Sequence, residues 1–130
     1  MSKLITFVLI AGMAAAASAA RADVPLGLWK SNPDASGLVV HVRTKPCGPA
    51  VCGRIERAKD RRGYDTPSRA VGRKMLWDMT PQPDGSYQGK IWEPAANKML
   101  VAKMQVQGNT MRLHNCDNAV CRDVVWTRLR

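Results

Sequence analysis

From residue 27 onward the chain consists of short runs rich in β-branched and aromatic residues, separated by turn residues, and in several of these runs hydrophobic and polar side chains alternate with a period of two. The segment LVVHVR, for example, places Leu38, Val40 and Val42 on one face and its polar side chains on the other. This period is typical of a β-strand with one buried face, and the three-and-four spacing of an amphipathic helix is nearly absent. We therefore predict eight strands, at Gly27–Lys30, Leu38–Arg43, Cys52–Arg57, Lys74–Met79, Tyr87–Trp92, Met99–Val106, Thr110–Asn115 and Arg122–Leu129.

Most of these strands are separated by short turns. Asp84-Gly85 and Gly108-Asn109 are strong signals for tight hairpins. Consecutive strands with short connections pair as an antiparallel meander. An eight-stranded meander can close into a barrel, which leaves no exposed edge strand. We therefore predict an all-β fold, a small eight-stranded antiparallel up-and-down barrel, whose interior is either filled by side chains or open to one small ligand.

One connection is long and basic. Residues 58–71 read AKDRRGYDTPSRAV and carry Lys59, Arg61, Arg62 and Arg69. Long connections without regular structure are usually either functional or mobile. This segment is therefore a candidate part of a binding site.

The first residues have the layout of a secretory signal peptide. Lys3 precedes a run of small and apolar residues that ends in two Ala-x-Ala motifs. A membrane anchor is the alternative, but the run of about 14 residues is shorter than the roughly 20 that a spanning helix needs. We expect cleavage after Ala22, with Ala19 as the second candidate, and no later membrane-spanning segment. The expected organisation is a signal peptide, 1–22, and a single periplasmic domain, 23–130.

The chain is strongly basic, with 20 Lys and Arg against 10 Asp and Glu and a net charge of +10. Without Lys3 and Arg21 the balance is 18 to 10, or +8. An exported protein of this charge meets anionic lipid, lipopolysaccharide and other acidic envelope polymers, which are candidate partners. A solvated basic surface without a partner is the alternative. Nucleic acid is not expected, because the aromatic side chains that stack bases are not interleaved with the basic ones.

Four cysteines form two matched motifs, PCGPAVCG and NCDNAVCR. In an oxidising compartment an even count indicates disulfides, and four cysteines allow three pairings. If each motif closes a hairpin, its cysteines face each other across the ladder, where Cα atoms about 4.5 Å apart are within disulfide reach. This geometry favours Cys47–Cys52 and Cys116–Cys121. A zinc site built from all four is the alternative, although zinc sites more often show C-x-x-C spacing.

The first and last predicted strands carry a matching pair of motifs, GLWK at 27–30 and WTRLR at 126–130. First and last strands are neighbours in a closed barrel, so Trp29 can cover the floor while Arg128 lies over its ring. Such a cation–π contact contributes roughly 0.5–2 kcal/mol. The pairing resembles the structural signature of the lipocalin-like (calycin) barrels.

The whole chain resembles a narrower family, DUF2147, a group of small exported bacterial proteins of unknown function. The resemblance implies a lipocalin-like barrel and no particular reaction. The pieces that carry it are GLWK (27–30), LVVHV (38–42), C-x-x-x-x-CGRI (47–55), G-x-x-ML (72–76), GKIWEP (89–94) and LHNC-x-x-x-x-CR-x-x-x-WTR (113–128).

The chain also departs from that family. The family usually has Asn-Pro and two nearby arginines in the long loop, whereas here Thr66 precedes the proline and Arg69 lacks the first partner. The family often has tyrosine where Trp92 stands, and glycine where Asn97 and Asn115 stand. These differences leave the role of the long loop open.

No arrangement of residues predicts catalysis. His41 and His114 fall on the outer faces of their strands, and no free nucleophile stands beside a plausible base. We therefore predict a non-enzymatic protein without a cofactor or a metal. The alternative is glycoside hydrolysis by a pair of carboxylates in or near the loops. The candidates for such a pair are Asp60, Asp65, Asp78, Asp84 and Glu93.

Methionines offer a second alternative, because thioether sulfurs bind copper in oxidising compartments. The candidate ligands are Met75 with Met79, or Met99 with Met104. Met104 lies on the apolar face of its strand, which favours core packing instead.

The remaining candidate site is a rim of basic and aromatic side chains at the barrel mouth. Arginine binds carboxylate and phosphate through a two-point fork, and tryptophan lines apolar pockets. The hypothesis is a small amphipathic or anionic ligand at this mouth; the alternative is an envelope interaction protein with a filled barrel. The predicted rim consists of Arg69, Arg73, Lys74, Trp77 and Trp92.

Overall fold

The structure, a computed structural model, describes residues 24–130, and the predicted signal peptide, residues 1–22, lies outside them. No helix within the described part of the chain is long and apolar enough to cross a membrane. Residues 24–130 form eight β-strands. These are β1 (Gly27–Lys30), β2 (Val39–Cys47), β3 (Ala50–Lys59), β4 (Lys74–Pro81), β5 (Tyr87–Glu93), β6 (Lys98–Gln107), β7 (Thr110–Asp117) and β8 (Val120–Arg128).

The strands close into one antiparallel barrel in chain order. Each strand pairs with the next, and β1 pairs with β8 through Trp29 opposite Arg128 and Lys30 opposite Thr127. The predicted all-β, eight-stranded up-and-down barrel is therefore confirmed. Closure pairs every strand on both sides and leaves no sheet edge exposed.

Two hairpins are tighter than the sequence suggested, and the strands beside them are longer. Cys47 pairs with Ala50, so β2 and β3 extend to a two-residue turn at Gly48-Pro49. Gly48 has φ 64°, a left-handed conformation that glycine adopts without steric cost. The turn between β7 and β8 also has two residues, because Asp117 pairs with Val120.

The barrel has two distinct ends. The connections after β1, β3, β5 and β7 lie at one end, here named the open end. The other end carries the turns after β2, β4 and β6, together with the segment leading into β1 and the C-terminus of β8, and is named the closed end.

The interior is packed with apolar side chains between the closed end and the middle of the barrel. Each fully buried side chain of this size contributes roughly 1.5–3 kcal/mol through the hydrophobic effect. Methionines fill much of this space, because their flexible side chains adapt to irregular gaps. The largest fully buried apolar side chains are Trp29, Trp126, Ile55, Leu76, Met79, Met104, Met111, Leu113 and Val42.

The long connection between β3 and β4 folds back along β3. The Gly72 N–H donates to the Ile55 carbonyl at 2.7 Å, and the Ile55 N–H donates to the Arg73 carbonyl at 2.9 Å. The Asp65 carboxylate pairs with Lys59 at 2.8 Å, and Ala70 is buried in the core. The loop is therefore attached to β3 by backbone hydrogen bonds and contributes Ala70 to the core.

Candidate functional site

The closed end is sealed by Arg128 and Trp29. The Arg128 guanidinium lies 4.3 Å from the centre of the Trp29 ring. It also donates to the carbonyls of Val24 at 2.7 Å and of Gly108 at 3.2 Å. The Trp29 indole N–H donates to the Pro25 carbonyl at 2.8 Å. These contacts tie the segment before β1 and the turn after β6 across this end of the barrel.

The open end leads into a cavity of about 600 Å³. Its floor and walls are apolar, and its rim carries polar and charged side chains. The apolar lining is Leu38, Val40, Met75, Ile91, Trp92, Val124 and Trp126, and the polar lining includes Ser31, Asn32, Asp34, Glu93, Asn115, Arg122 and Asp123. The barrel is thus a cup, filled at the closed end and hollow at the open end.

Alternate residues of β8 face the interior of the barrel along the whole strand. Trp126 lies opposite the buried Met111, and Val124 lies opposite the buried Leu113. Residues that pair directly across a ladder project to the same side of the sheet. Arg122, two residues from Val124, therefore occupies an inward-facing position at the mouth.

Arg122 reaches across the mouth towards β5. Its Nη1 atom lies 3.7 Å from Oε1 of Glu93, a separation that allows an ion pair but not a hydrogen bond. The sequence pattern alone did not lead us to Arg122. The signal was present, because the alternation of Trp126 and Val124 continues to this position.

Asn115 is the polar side chain that lies deepest in the lining. It is 7 % exposed and stands directly opposite Arg122 in the ladder. No hydrogen bond joins its side-chain amide to another described residue. Every fully enclosed side-chain nitrogen and oxygen in the described residues has a partner. The Asn115 amide is therefore open to the cavity.

Two further carboxylates at the rim are held by neighbouring groups. Asp34 Oδ1 accepts bonds from the Ser36 N–H at 2.8 Å and the Leu38 N–H at 3.0 Å. Partial burial acts to raise the pKa of Asp34, but hydrogen bonds from Ser36, Leu38 and Gly37 together lower it. Asp123 Oδ1 lies 2.7 Å from Nδ1 of His114 on the outer face.

The predicted rim is only partly assembled at the mouth. Trp92 lines the cavity, and the Arg73 guanidinium lies 3.9 Å from the centre of its ring. The Lys74 ammonium lies 4.4 Å from the centre of the Trp77 ring, and neither of these two side chains lines the cavity. Arg69 is exposed on the loop outside the lining. Arg73 and Lys74 lie where the loop joins β4, and each is stacked on a tryptophan ring.

The two disulfides lie at opposite ends of the barrel. Cys47–Cys52 spans the turn between β2 and β3 at the closed end, with Cα atoms 5.8 Å apart. Cys116–Cys121 joins β7 to β8 at the open end, with Cα atoms 4.0 Å apart. Cys116 and Cys121 are direct ladder partners as expected, whereas Cys47 is diagonal to Cys52 because the tight turn pairs it with Ala50. The four sulfurs are therefore not brought together as a zinc site would require.

The methionines named as copper ligands and the carboxylates named for hydrolysis are spread over the core, the exposed surface and the cavity. Met79 and Met104 are fully buried in the core, and Met99 is exposed. Among the five carboxylates named as candidates for hydrolysis, Glu93 lines the cavity and the other four do not. Glu93 is joined there by Asp34 and Asp123, which the sequence pattern did not single out.

Comparison with known proteins places the fold and the family. A solved structure described as protein HP1028 from Helicobacter pylori, a member of the lipocalin family, is similar with a TM-score of 0.65. The two chains are 14 % identical, and the similarity covers 83 % of this chain and 84 % of that one, which shows a shared fold. A comparison with curated proteins gives no match. The family model DUF2147, described as an uncharacterized protein conserved in bacteria, matches residues 27–128, and the chain therefore belongs to the DUF2147 family.

Proposed function

We propose that this protein binds a small amphipathic molecule in the cup at the open end of the barrel, without catalysing a reaction. The observation that carries the proposal is the cavity of about 600 Å³ with an apolar floor and a polar rim. Pockets for small molecules usually have volumes of roughly 300–1,000 Å³ and combine apolar walls with a few polar groups.

The interior is filled at the closed end and hollow at the open end, which supports the binding of one small ligand. Trp29 and Arg128 close one end, and the fully buried Met104, Met111 and Leu113 fill the space above them. An apolar chain that enters from the open end would displace water from Val40, Ile91 and the other apolar lining residues. This displacement is favourable by about 25 cal/mol for each Å² of apolar surface buried.

The proposed location is the periplasm. Two disulfides in a domain of this size are typical of proteins that fold in an oxidising compartment. The signal-peptide pattern at residues 1–22 points to the same compartment. The mass of the protein isolated from a periplasmic extract tests this, because a chain that begins after Ala22 is expected, and a chain that retains residues 1–22 would contradict it.

The alternative function is an envelope interaction protein with no ligand. The basic outer surface supports it, because the chain carries 20 basic residues and most of those within residues 24–130 are exposed. The cavity argues against a fully filled barrel. Binding of anionic vesicles by a protein whose cup is blocked would favour the alternative.

The test uses a neutral amphipathic dye, N-phenyl-1-naphthylamine, whose fluorescence rises in apolar surroundings. The wild-type protein should bind it, and decanol should displace it. Val124→Trp should abolish binding, because the larger side chain projects into the cavity from a lining position.

The matched control is Val125→Trp. Val125 is the next residue on β8, faces outward and is 41 % exposed. The control should bind the dye as the wild type does. Equal binding by the wild type and Val124→Trp would contradict the proposed cup, as would failure of the wild type to bind the dye.

A further inference from the structure

The two disulfides have the same spacing but different chemical surroundings. Each joins cysteines that are separated by 5 positions across one hairpin. At the open end, Nε2 of His114 lies 3.6 Å from Sγ of Cys116. At the closed end, Oδ1 of Asp78 lies 3.7 Å from Sγ of Cys52. One disulfide thus faces a ring that can donate a proton, and the other faces a carboxylate.

The imidazole ring of His114 is oriented by its neighbour across the ladder. Nδ1 lies 2.7 Å from Oδ1 of Asp123, the direct partner of His114 on β8. A carboxylate at this distance accepts a bond from the N–H at Nδ1 and fixes the orientation of the ring. The other nitrogen, Nε2, is the one that lies next to Cys116. A carboxylate, an imidazole and a sulfur therefore follow one another in the order that supports acid–base chemistry at the sulfur.

The charge beside each sulfur affects how easily its disulfide opens. Thiol–disulfide exchange is faster when the thiolate that leaves is stabilised. A thiolate on Cys116 would lie beside the His114 ring, which can supply a proton from Nε2. A thiolate on Cys52 would lie beside the Asp78 carboxylate, which repels it. Lys45, across the ladder from Cys52, is exposed and has no contact with a sulfur in the part of the chain that the structure describes.

The exposure of the two open-end cysteines favours attack at Cys121. Cys121 is exposed, whereas Cys116 is half-buried. Attack on Cys121 in line with the S–S bond expels the sulfur of Cys116, which is the one beside His114. Asn115 and Arg122, the neighbours of the two cysteines in the chain, line the cavity. A group attached to Cys121 would therefore be placed at the mouth of the cup.

We propose that Cys116–Cys121 is a site of thiol–disulfide exchange with a small thiol. The thiolate of the incoming molecule forms a bond to Sγ of Cys121, and the bond from Cys121 to Cys116 breaks. The electron pair of that bond leaves on Sγ of Cys116, which takes the proton from Nε2 of His114. One disulfide forms for each one broken, so the step requires no further oxidant or reductant. His114 is the catalytic acid, and Asp123 is a positioning residue.

The test follows both disulfides in the same sample. The folded protein is incubated with reduced glutathione, free thiols are blocked at each time point with excess N-ethylmaleimide, and the protein is digested with trypsin. Trypsin releases each disulfide within one peptide, residues 44–54 and 113–122, and mass spectrometry measures the modified cysteines in each. Both disulfides meet the same concentration of glutathione thiolate, so the ratio of their opening rates reports on their surroundings alone.

The open-end disulfide should react faster than the closed-end one. At about pH 6 the peptide 113–122 should be modified at least roughly tenfold faster than the peptide 44–54, because the imidazolium stabilises the leaving thiolate and the Asp78 carboxylate opposes it. Glutathione should be found on Cys121 and the N-ethylmaleimide group on Cys116. This experiment does not depend on the ligand proposed for the cup.

The ratio of the two rates should also depend on pH. It should fall between about pH 6 and about pH 8, where histidine side chains lose their positive charge. The charged groups at the outward-facing positions around His114 are Lys103 on β6, Arg112 on β7 and Asp123 on β8. Side chains of these three types ordinarily keep one charge state over this range, so a fall in the ratio reports on the histidine.

Substitutions test the assigned roles. His114→Gln should reduce the ratio to less than roughly threefold and remove its dependence on pH. Asp123→Ala should also lower the ratio, whereas Asp123→Asn, which keeps an acceptor for the N–H at Nδ1, should retain more of it. The matched control is Arg112→Gln, which removes a positive charge from the next outward-facing position of β7 and should leave the ratio unchanged. The rate at the peptide 44–54 shows whether each variant is folded, because unfolding exposes both disulfides.

Three results would overturn the proposal. The first is equal opening of the two disulfides in the wild-type protein, and the second is the absence of glutathione from Cys121. The third is a ratio that does not change in His114→Gln, or that falls equally in Arg112→Gln, because either result would exclude His114 as the acid.

Discussion

Arg122 and Arg128 lie on the same inward-facing series of β8, one at each end of the barrel. Arg128 stacks on Trp29 at 4.3 Å and donates to backbone carbonyls across the closed end. Arg122 projects into the open mouth, where its partner is Glu93 at 3.7 Å. One strand thus supplies both the seal of the cup and a charged group at its opening.

Replacement of the sealing arginine should destabilise the barrel. Arg128→Met removes hydrogen bonds to the carbonyls of Val24, Leu26 and Gly108 and the stacking on Trp29. We expect the free energy of unfolding to fall by about 2 kcal/mol, measured by urea denaturation. Arg112→Met, on the exposed face of β7, should change it by less than about 0.5 kcal/mol. Equal losses from the two substitutions would contradict the role of Arg128 as a seal.

The two disulfides should contribute similarly to stability but differently to dye binding. Loss of either one, by Cys→Ser substitution at both positions, should lower the free energy of unfolding by roughly 2 kcal/mol. Dye binding should weaken when Cys116 and Cys121 are replaced, because Asn115 of the lining is the next residue on β7. It should not change when Cys47 and Cys52 are replaced at the other end. Equal loss of binding in both variants would show that the open-end disulfide has no special relation to the cup.

The pKa of Asp84 should lie well below the ordinary value for an aspartate. Bonds from the Ser86 hydroxyl, the Ser86 N–H at 2.9 Å and Lys103 at 3.1 Å lower the pKa of Asp84 from 3.8 to about 2. Because the folded-state pKa is lowered, its contribution to stability is present above pH 3.8 and is lost as the pH falls towards 2. NMR titration of the carboxyl carbon should show this value in the wild type. Ser86→Ala should move the pKa up towards 3.8, and an unchanged value would contradict the assigned cause.

Gly89 should tolerate no side chain. A Cβ atom there would lie 2.4 Å from the carbonyl oxygen of Trp77 and 2.7 Å from that of Asp78. Both contacts are to backbone, at a point where the register of β4 and β5 shifts and Asp78 has φ 50°. Gly89→Ala should therefore cost about 3 kcal/mol or more in urea denaturation. Gln88→Ala, at the exposed neighbouring position, is the control, and a similar small loss in both would contradict the close approach.

The sequence predicted the barrel because its signals are local. Alternation along segments such as Met99–Val106, together with turn residues such as Gly108 and Asn109, specifies strands and hairpins without knowledge of the rest of the chain. The contact of Trp29 with Arg128 could be anticipated once closure was assumed, because closure makes β1 and β8 neighbours.

The mouth of the cup could not be predicted in the same way. The path of the long loop depends on hydrogen bonds such as that from Gly72 to Ile55, which no local pattern encodes. Arg73 and Lys74 were expected at the mouth. In the structure Arg73 stacks on Trp92, which lines the cavity, and Lys74 stacks on Trp77, which does not, and neither basic side chain is itself in the lining. Asn115 was detectable in principle, because it continues the inward alternation of Met111 and Leu113.

Binding of a small amphipathic molecule at the open end of the barrel can be followed through the indole N–H signals of the four tryptophans in a ¹H–¹⁵N NMR titration with decanol. Trp92 and Trp126 line the cavity, whereas Trp29 lies at the closed end and Trp77 lies outside the lining. We expect saturable shifts of the Trp92 and Trp126 signals and no shift of the Trp29 and Trp77 signals. Absence of any shift, or equal shifts of all four signals, would contradict binding at the open end.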